Sequence, residues 1–346
     1  MSKQSGNKNL SKVLFSPVKG KVKLESSPKK PTFKDLLSPS PKRSQSKNKT
    51  KTQKQNENQN QNQEIEIHIA KPSKFVRKNT KSKTTLLSKN NILNSFLKSS
   101  TKLFQNPEFR DYMEDFTLTV HSFMKDSTKH LFGIFDGHGG DKSAKLSSRI
   151  TSDILAKFLK ESPFNVEQCL RKTFSAVDLE VKKANFKHVG NTMTLVYIQS
   201  KMIYCANVGD SSCVLVYKDN GKKISYDDKC TDPNEIKRIE NENGKIIDDR
   251  LNGILAISRG IGDFDLKNKG LSSDPHISKY LIDEDVDYCV IASDGVWDAL
   301  TPEDIYRITK HEKNTDIIVE NIVNEAIEKG SEDNISCIVI CLKTNN

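Results

Sequence analysis

The sequence of 346 residues contains no run of about 18 consecutive apolar residues, the length that a transmembrane helix needs. Its first residues, MSKQSGNKNLSKVLF, also lack the apolar segment of a secretory signal peptide. Both absences argue against a membrane-spanning or secreted protein. We therefore expect a soluble intracellular protein with no membrane span, located in the cytoplasm, the nucleus or both.

Paired cysteines are also absent. The seven cysteines, at positions 169, 205, 213, 230, 289, 337 and 341, form no CxxC pair, and their number is odd. This pattern is typical of free thiols in a reducing compartment, and it argues against a disulfide framework or a zinc site.

Acidic residues are scarce in the first part of the chain. Residues 1–100 hold 23 Lys and Arg against 5 Asp and Glu, a net charge of +18, whereas the remaining residues hold 32 against 40, a net charge of −8. A basic arm thus precedes an acidic body. The overall charge of +10 describes neither part, and it does not indicate a nucleic-acid-binding core.

The arm is rich in Lys, Ser, Asn, Gln and Pro, and its centre is the low-complexity run QKQNENQNQNQ. Such a segment cannot bury enough apolar surface to offset the entropy of ordering. We therefore predict a disordered arm over 1–100 and a folded domain over 101–346. Within the arm, EIEIHI at 64–69 fits either a strand that pairs with another sheet edge or loose local structure.

Three Ser-Pro motifs followed by basic residues lie in the arm: SPVK, SPKK and SPKR, at Ser16, Ser27 and Ser40. They fit acceptor sites for a proline-directed kinase, whose phosphates would reduce the local positive charge. They also fit weak contacts with the DNA backbone or minor groove, or a nuclear import signal. A plain solvated basic linker is the third interpretation, and the sequence does not choose among them.

In the body, apolar spacing predicts amphipathic helices over 146–158, 166–181, 301–311 and 314–330. Apolar runs predict strands at 192–199 and 202–209, a hairpin with an Asp-Asn-Gly turn at 212–226, and buried strands at 251–258, 288–295 and 335–342. Strands outnumber helices, and their links are mostly short. An α+β fold with antiparallel sheets and helices packed outside them is the expected class.

Several acids in the body follow apolar strands and stand beside glycines. The first is Asp136 in FDGHGG, a stretch that fits either a tight turn or a metal or phosphate site. Similar positions are taken by Asp210, Asp263, Asp294 and Asp333, and RDYMED adds Glu114 and Asp115 after Arg110. Clustered carboxylates repel one another unless a cation neutralises them, and ligands that are all oxygen favour Mg²⁺ or Mn²⁺.

Six segments carry a resemblance to a known family: RDYMED, FGIFDGHGG, ANVGDSS, LAISRGIGDFDLK, ASDGVWDAL and SEDNIS. In order and spacing, they are similar to the signature blocks of the metal-dependent type 2C (PPM) Ser/Thr protein phosphatases. The match spans about 101–342 and none of the arm. It implies a four-layer α-β-β-α sandwich, two antiparallel sheets flanked by helices, that hydrolyses phosphoserine and phosphothreonine in phosphoprotein substrates without a phosphoenzyme.

The resemblance also implies a role for each acid. Asp136 would bridge two Mg²⁺ or Mn²⁺ ions, and the carbonyl of Gly137 would bind one of them. The other implied ligands are Asp263 and Asp294 at the second metal, Glu114 and Asp115 through water or directly, Asp333 as a further carboxylate, and Asp210 at a weak third metal. Arg110 would bind the phosphate, and His138 would protonate the leaving oxygen.

The sequence departs from the family pattern in places. The usual Gly-Ser/Thr-Thr-Ala block is GNTM at 190–193, and the usual Asp-His-Lys-Pro block is DDKC at 227–230. We expect altered packing and altered substrate preference there. The residues that precede Arg110, LFQNPEF, lack the glycine that the family usually has there. The segment between Asp210 and Asp263 is short, so we expect any flap beside the cleft to be small.

Two other functions fit the same sequence. One is a pseudophosphatase, a scaffold on the same fold, although no metal carboxylate of the pattern is lost. The other is a regulator tethered to DNA or chromatin through the arm, which would show a steep salt dependence of binding. Nothing in the sequence indicates an obligate dimer, so we expect a monomer.

Overall fold

The computed structural model describes residues 97–343, whose strands form two large antiparallel sheets. The strands are β1 (Ser99–Phe104), β2 (Phe116–Val120), β3 (Lys129–Phe135), β4 (Gly137–His138), β5 (Gly190–Asn191), β6 (Met193–Gln199), β7 (Met202–Val208), β8 (Ser212–Tyr217), β9 (Gly221–Lys223), β10 (Ile246–Ile247), β11 (Arg250–Leu251), β12 (Ile261–Gly262), β13 (His276–Leu281), β14 (Val286–Ala292) and β15 (Ile335–Cys341). The first five-stranded sheet has the order β1-β15-β14-β8-β9, and the second has the order β13-β7-β6-β3-β2. Two small sheets, β12-β5-β4 and the hairpin β10-β11, complete the strands.

Helices cover the outer face of each large sheet. The helices of the described residues are α1 (Lys142–Glu161), α2 (Val166–Lys183), α3 (Pro233–Asn241), α4 (Phe264–Lys267), α5 (Asp294–Trp297), α6 (Pro302–Thr309) and α7 (Thr315–Glu328), with a 3-10 turn at Phe123–Lys125. α1 and α2 share a hydrophobic core with the second sheet. α5, α6 and α7 share another with the first sheet.

Alternate side chains of the central strands enter different cores. In β3, Phe132 and Ile134 pack between the two sheets, whereas Leu131 and Phe135 pack against α1 and α2. β14 alternates in the same way between the inter-sheet core and the helices on its other face. This alternation follows from the period of two in a strand, and it confirms the predicted α+β sandwich of helix, sheet, sheet and helix.

One predicted strand is wrong. The buried strand expected over 251–258 is a tight turn, because Asn252 and Gly253 adopt left-handed backbone with φ of 51° and 72°. The Leu251 N–H donates to the Leu255 carbonyl at 2.7 Å, which closes the turn. Between Asp210 and Asp263 the flap contains α3 and the hairpin β10-β11.

The described fold begins slightly before the predicted domain boundary. Leu97 is buried, and β1 begins at Ser99 and pairs with β15. The motifs at Ser16, Ser27 and Ser40 and the EIEIHI segment lie outside the described residues. Within 97–343, no helix is both long and apolar enough to cross a membrane.

The N-terminus of α6 allows a test of local helix stability. The Thr301 hydroxyl accepts the Asp304 N–H at 3.2 Å, and the Asp304 carboxylate accepts the Thr301 N–H at 2.9 Å. Thr301→Ala removes half of this capping box, so we expect the free energy of unfolding to fall by about 1 kcal/mol in urea denaturation. Thr301→Ser should keep most of the stability, and an unchanged Thr301→Ala would contradict the role of the cap.

Candidate active site

The acids predicted from the sequence meet where strands of both sheets end. Asp136 directly follows β3, Asp294 lies two residues after β14, and Asp210 lies two residues after β7. A cavity of about 210 Å³ opens here. Eight of the ten residues expected to act in catalysis or metal binding line it: Arg110, Glu114, Asp136, Gly137, His138, Asp210, Asp294 and Asp333.

Asp136 lies at the centre of the carboxylate group. Burial raises its pKa well above the usual range, and the negative charges of Asp115, Asp294, Asp210 and Asp333 raise it further. Its backbone N–H donates to the Thr192 hydroxyl at 3.2 Å, and its carbonyl accepts the Thr192 N–H at 2.8 Å. The main chain therefore fixes the Asp136 carboxylate among neighbours that repel it.

Asp115 and Asp294 also have raised pKa values. Burial, reinforced by Asp210 and Asp333, raises the pKa of Asp294 to about 8. Burial likewise raises the pKa of Asp115 to about 6, although the nearby hydroxyls of Ser336 and Ser293 oppose the shift. Asp115 does not line the cavity but lies behind it, and its Oδ2 is buried without a hydrogen-bond partner.

This donor set fits a hard divalent cation. Several carboxylates share a small cavity, and one buried carboxylate oxygen lacks a partner. The Gly137 backbone lies so close to the Glu114 carbonyl that a Cβ there would be 2.6 Å from it, so only glycine fits. Oxygen ligands of this kind are those that Mg²⁺ and Mn²⁺ prefer.

The segment from Arg110 to Glu114 is anchored to the loop before β15. The Arg110 guanidinium forms an ion pair with Asp333, and its Nε donates to the Glu332 carbonyl at 3.3 Å. The Glu114 N–H donates to Asn334 Oδ1 at 2.8 Å, and Glu114 Oε1 accepts the Gly140 N–H at 2.5 Å. Arg110 therefore stands at the cavity wall despite its unusual lead-in.

His138 contacts Asp263 in this structure. His138 Nε2 and Asp263 Oδ2 lie 2.5 Å apart, and Asp263 is buried and does not line the cavity with Asp136. A Cβ on Gly190 would lie 1.9 Å from Asp263 Oδ2 and 2.5 Å from His138 Nε2. The glycine that begins GNTM is thus required by the close approach of this pair.

The rest of the GNTM block is explained by packing. Asn191 is fully buried, and its Oδ1 accepts the Ser143 hydroxyl at 2.5 Å. Met193 is fully buried in the core beneath α1 and α2. Thr192 lines the cavity, holds Asp136 and contacts the Ser211 hydroxyl at 2.7 Å. These residues support the site through long-range contacts, which the sequence analysis missed.

Arg250 is a second cation that the sequence analysis missed. It belongs to the hairpin β10-β11 and lines the cavity with Leu255, Ala256 and Ile257. The turn that replaces the predicted strand at 251–258 places these residues in the wall of the cavity that Arg110 also lines. Because Arg250 lies in no recognisable motif, the sequence alone does not predict that it lines the cavity.

The DDKC block contains a buried acid that anchors this wall. Asp228 is fully buried, and its Oδ2 accepts the Gly209 N–H at 2.9 Å beside Asp210. Its carbonyl accepts the Ser258 N–H at 2.8 Å. His276 Nε2 lies 2.9 Å from Asp228 Oδ1, although the two are not aligned as a hydrogen bond. Asp228 therefore joins the Asp210 turn to the 250–259 segment.

Asp228, Glu235 and His276 bring ligand atoms within 4.8 Å of one another, outside the predicted site. Glu235 already accepts hydrogen bonds from Arg238 and Arg259 at 2.6 Å and 2.7 Å. Burial would raise the Glu235 pKa, but these guanidinium groups and a serine hydroxyl lower it to about 2. Because two arginines supply the positive charge, this group is a structural ion-pair network rather than a cation site.

The fold and the cavity define a class: a two-sheet α+β sandwich with a carboxylate-rich site at the strand ends. Residues 99–335 match the family model Protein phosphatase 2C. The chain is 30% identical over 243 residues to probable protein phosphatase 2C 59 of Oryza sativa subsp. japonica, covering 68% of this chain and 73% of that protein. It is 32% identical over 240 residues to probable protein phosphatase 2C 71 of Arabidopsis thaliana, covering 67% and 53%.

Solved structures agree in fold. A sex-determining protein of C. elegans superposes with a TM-score of 0.66 at 23% identity, covering 72% of this chain and 65% of that one. A serine-threonine phosphatase 2C from Toxoplasma gondii superposes with a TM-score of 0.62 at 18% identity, covering 71% and 94%. The chain belongs to the protein phosphatase 2C family, which confirms the resemblance read from the sequence.

The raised pKa of Asp294 predicts a pH-dependent stability of the metal-free protein. A carboxyl whose pKa rises on folding keeps its proton in the native state, so stability falls as pH increases from about 4 towards about 8. In EDTA, we expect the Tm to fall between pH 5 and pH 8. Asp294→Asn should flatten this slope, and added Mn²⁺ should raise the wild-type Tm most at pH 8. An equal slope in both proteins would contradict the assignment.

The buried Asp228 predicts a large loss of stability on truncation. Asp228→Ala leaves the buried Gly209 N–H without its acceptor and removes the negative charge beside His276 and Arg259, so we expect a loss of about 3 kcal/mol in chemical denaturation. Asp153→Ala, on an exposed position of α1, is the matched control and should change little. Equal effects of the two substitutions would show that the network does not stabilise the fold.

Proposed function

We propose that this chain is a metal-dependent protein serine/threonine phosphatase whose active site is the 210 Å³ cavity. The observation that carries the proposal is the cluster of carboxylates that shares one small cavity with two arginines and a histidine, in which burial raises the pKa of Asp136, Asp210 and Asp294. Membership of the protein phosphatase 2C family supports it. The substrates are phosphoproteins.

Asp136, the Gly137 carbonyl and Asp294 are the residues that we propose hold two Mg²⁺ or Mn²⁺ ions, with Asp263, Glu114, Asp115 and Asp333 as further ligands. Asp210 is the proposed residue for a weaker third ion. When bound, the ions supply Lewis acidity and a water of lowered pKa for displacement at phosphorus. Asp263 would have to turn from His138 to reach such an ion.

The chain's own groups bind the phosphate and supply the proton. Arg110 presents a planar guanidinium that matches two phosphate oxygens, and substrate would compete with Asp333 for it. Arg250 faces the same cavity and adds positive charge. His138 lines the cavity and can donate a proton to the serine or threonine oxygen as it leaves. Nothing in this scheme needs a covalent phosphoenzyme.

Phosphate release from a phosphothreonine peptide tests this function. We expect turnover with Mn²⁺ or Mg²⁺, none in EDTA, and a loss of about 100-fold or more for Asp136→Asn and Asp294→Asn, since each removes a proposed metal ligand. Asp285→Asn, which removes an exposed carboxylate paired with Lys218, is the matched control and should retain full activity. A folded wild type that is inactive with every metal would favour the pseudophosphatase instead.

A further inference from the structure

A second and larger cavity adjoins the proposed catalytic cavity. It has a volume of about 470 Å³ and shares Arg110, Asp294 and Asp333 with its neighbour. Its size is typical of ligand clefts, which measure roughly 300–1,000 Å³. A peptide whose phosphorylated residue enters the catalytic cavity therefore has room for a neighbouring side chain in this one.

Three segments form the larger cavity, and buried hydrogen bonds join them. The Ser331 hydroxyl donates to the Gly295 carbonyl at 2.6 Å, which links the loop after α7 to α5. The Asn106 side chain, itself buried, donates to the Ser331 carbonyl at 2.7 Å and links the lead-in to Arg110 to that loop. The cavity is therefore preformed rather than created by a mobile loop.

The charges that remain available in this cavity are negative. Lys329 is engaged by Asp304 and Glu325 at 2.8 Å and 3.3 Å, and Arg110 is engaged by Asp333. Glu332 is exposed and forms no ion pair within residues 97–343. Asp298 is exposed too, and its nearest cation is Lys229 at 3.8 Å. The cavity thus offers two carboxylates to a ligand.

Phe109 adds an aromatic surface to the same cavity. Its side chain is 52% exposed although it lines the cleft. Seven lysines of the described chain lie over other aromatic rings, and none lies over Phe109. An exposed aromatic face near carboxylates suits the guanidinium of arginine or the ammonium of lysine, which gain both ion pairing and cation–π attraction.

We propose that this cavity is a substrate subsite that binds an Arg or Lys side chain flanking the phosphorylated residue of a protein substrate. The proposal rests on the proposed phosphatase function. It assigns Glu332, Asp298 and Phe109 as specificity-determining residues. None of them belongs to the set proposed to bind metal, phosphate or the leaving group.

The test compares matched phosphothreonine peptides with arginine or with alanine two residues away on either side. We expect kcat/KM to be about 10-fold higher for the better arginine peptide, since partly exposed ion pairs and a cation–π contact each contribute modestly. Glu332→Gln and Asp298→Asn together should reduce this ratio towards one. Glu328→Gln removes one negative charge on the exposed end of α7, outside the cavity, as Glu332→Gln alone does inside it, and should leave the ratio unchanged.

An aryl phosphate without flanking residues separates this proposal from the general function. The Glu332→Gln/Asp298→Asn variant should hydrolyse it at the wild-type rate. Equal kcat/KM for arginine and alanine peptides, or a preference that survives in the variant, would overturn the subsite. If wild type hydrolyses neither the peptides nor the aryl phosphate, the phosphatase function fails, and fluorescence anisotropy of the labelled peptides then decides whether the subsite still prefers arginine.

Discussion

The burial of several like-charged carboxylates together around Asp136 is the constraint on which this structure depends. Asp115, Asp136, Asp210 and Asp294 all have a raised pKa, and burial is the largest cause in each. A chain gains no stability from such an arrangement by itself. The arrangement persists because the sandwich holds the strand ends firmly together. Carboxylates arranged in this way fit a cation-binding site.

The two sheets provide that rigidity. β3 and β14 are central strands with both faces buried, so the residues that follow them cannot move apart without opening two cores. Side-chain hydrogen bonds fix the positions of individual acids: Thr192 holds the Asp136 backbone, and Asp228 holds the turn before Asp210. The stability of the hydrophobic layers thus offsets the cost of gathering like charges in one cavity.

Local patterns and the family resemblance made the layered fold and most of the cavity lining predictable from sequence. The start of the helix predicted over 301–311 and the Asp-Gly step at Asp136 depend on near neighbours, and both lie where the sequence placed them. Arg250, Thr192 and the contact of Asp263 with His138 depend on residues far away in the chain. No short-range pattern encodes such contacts. The apolar run at 251–258 predicts a strand, but Asn252 and Gly253 adopt left-handed backbone and form a turn there instead.

The GNTM and DDKC blocks illustrate how buried residues outside the predicted ligand set support the site. Asn191 and Met193 fill buried space, whereas Gly190 lies against the Asp263–His138 pair and Thr192 holds Asp136. In DDKC, a buried carboxylate with a histidine and an arginine beside it anchors the turn of Asp210. A supporting position can hold any side chain that satisfies the hydrogen bonds and packing of its buried neighbours, because its role is to position other residues. A metal ligand has no such freedom, since its charge is itself the function.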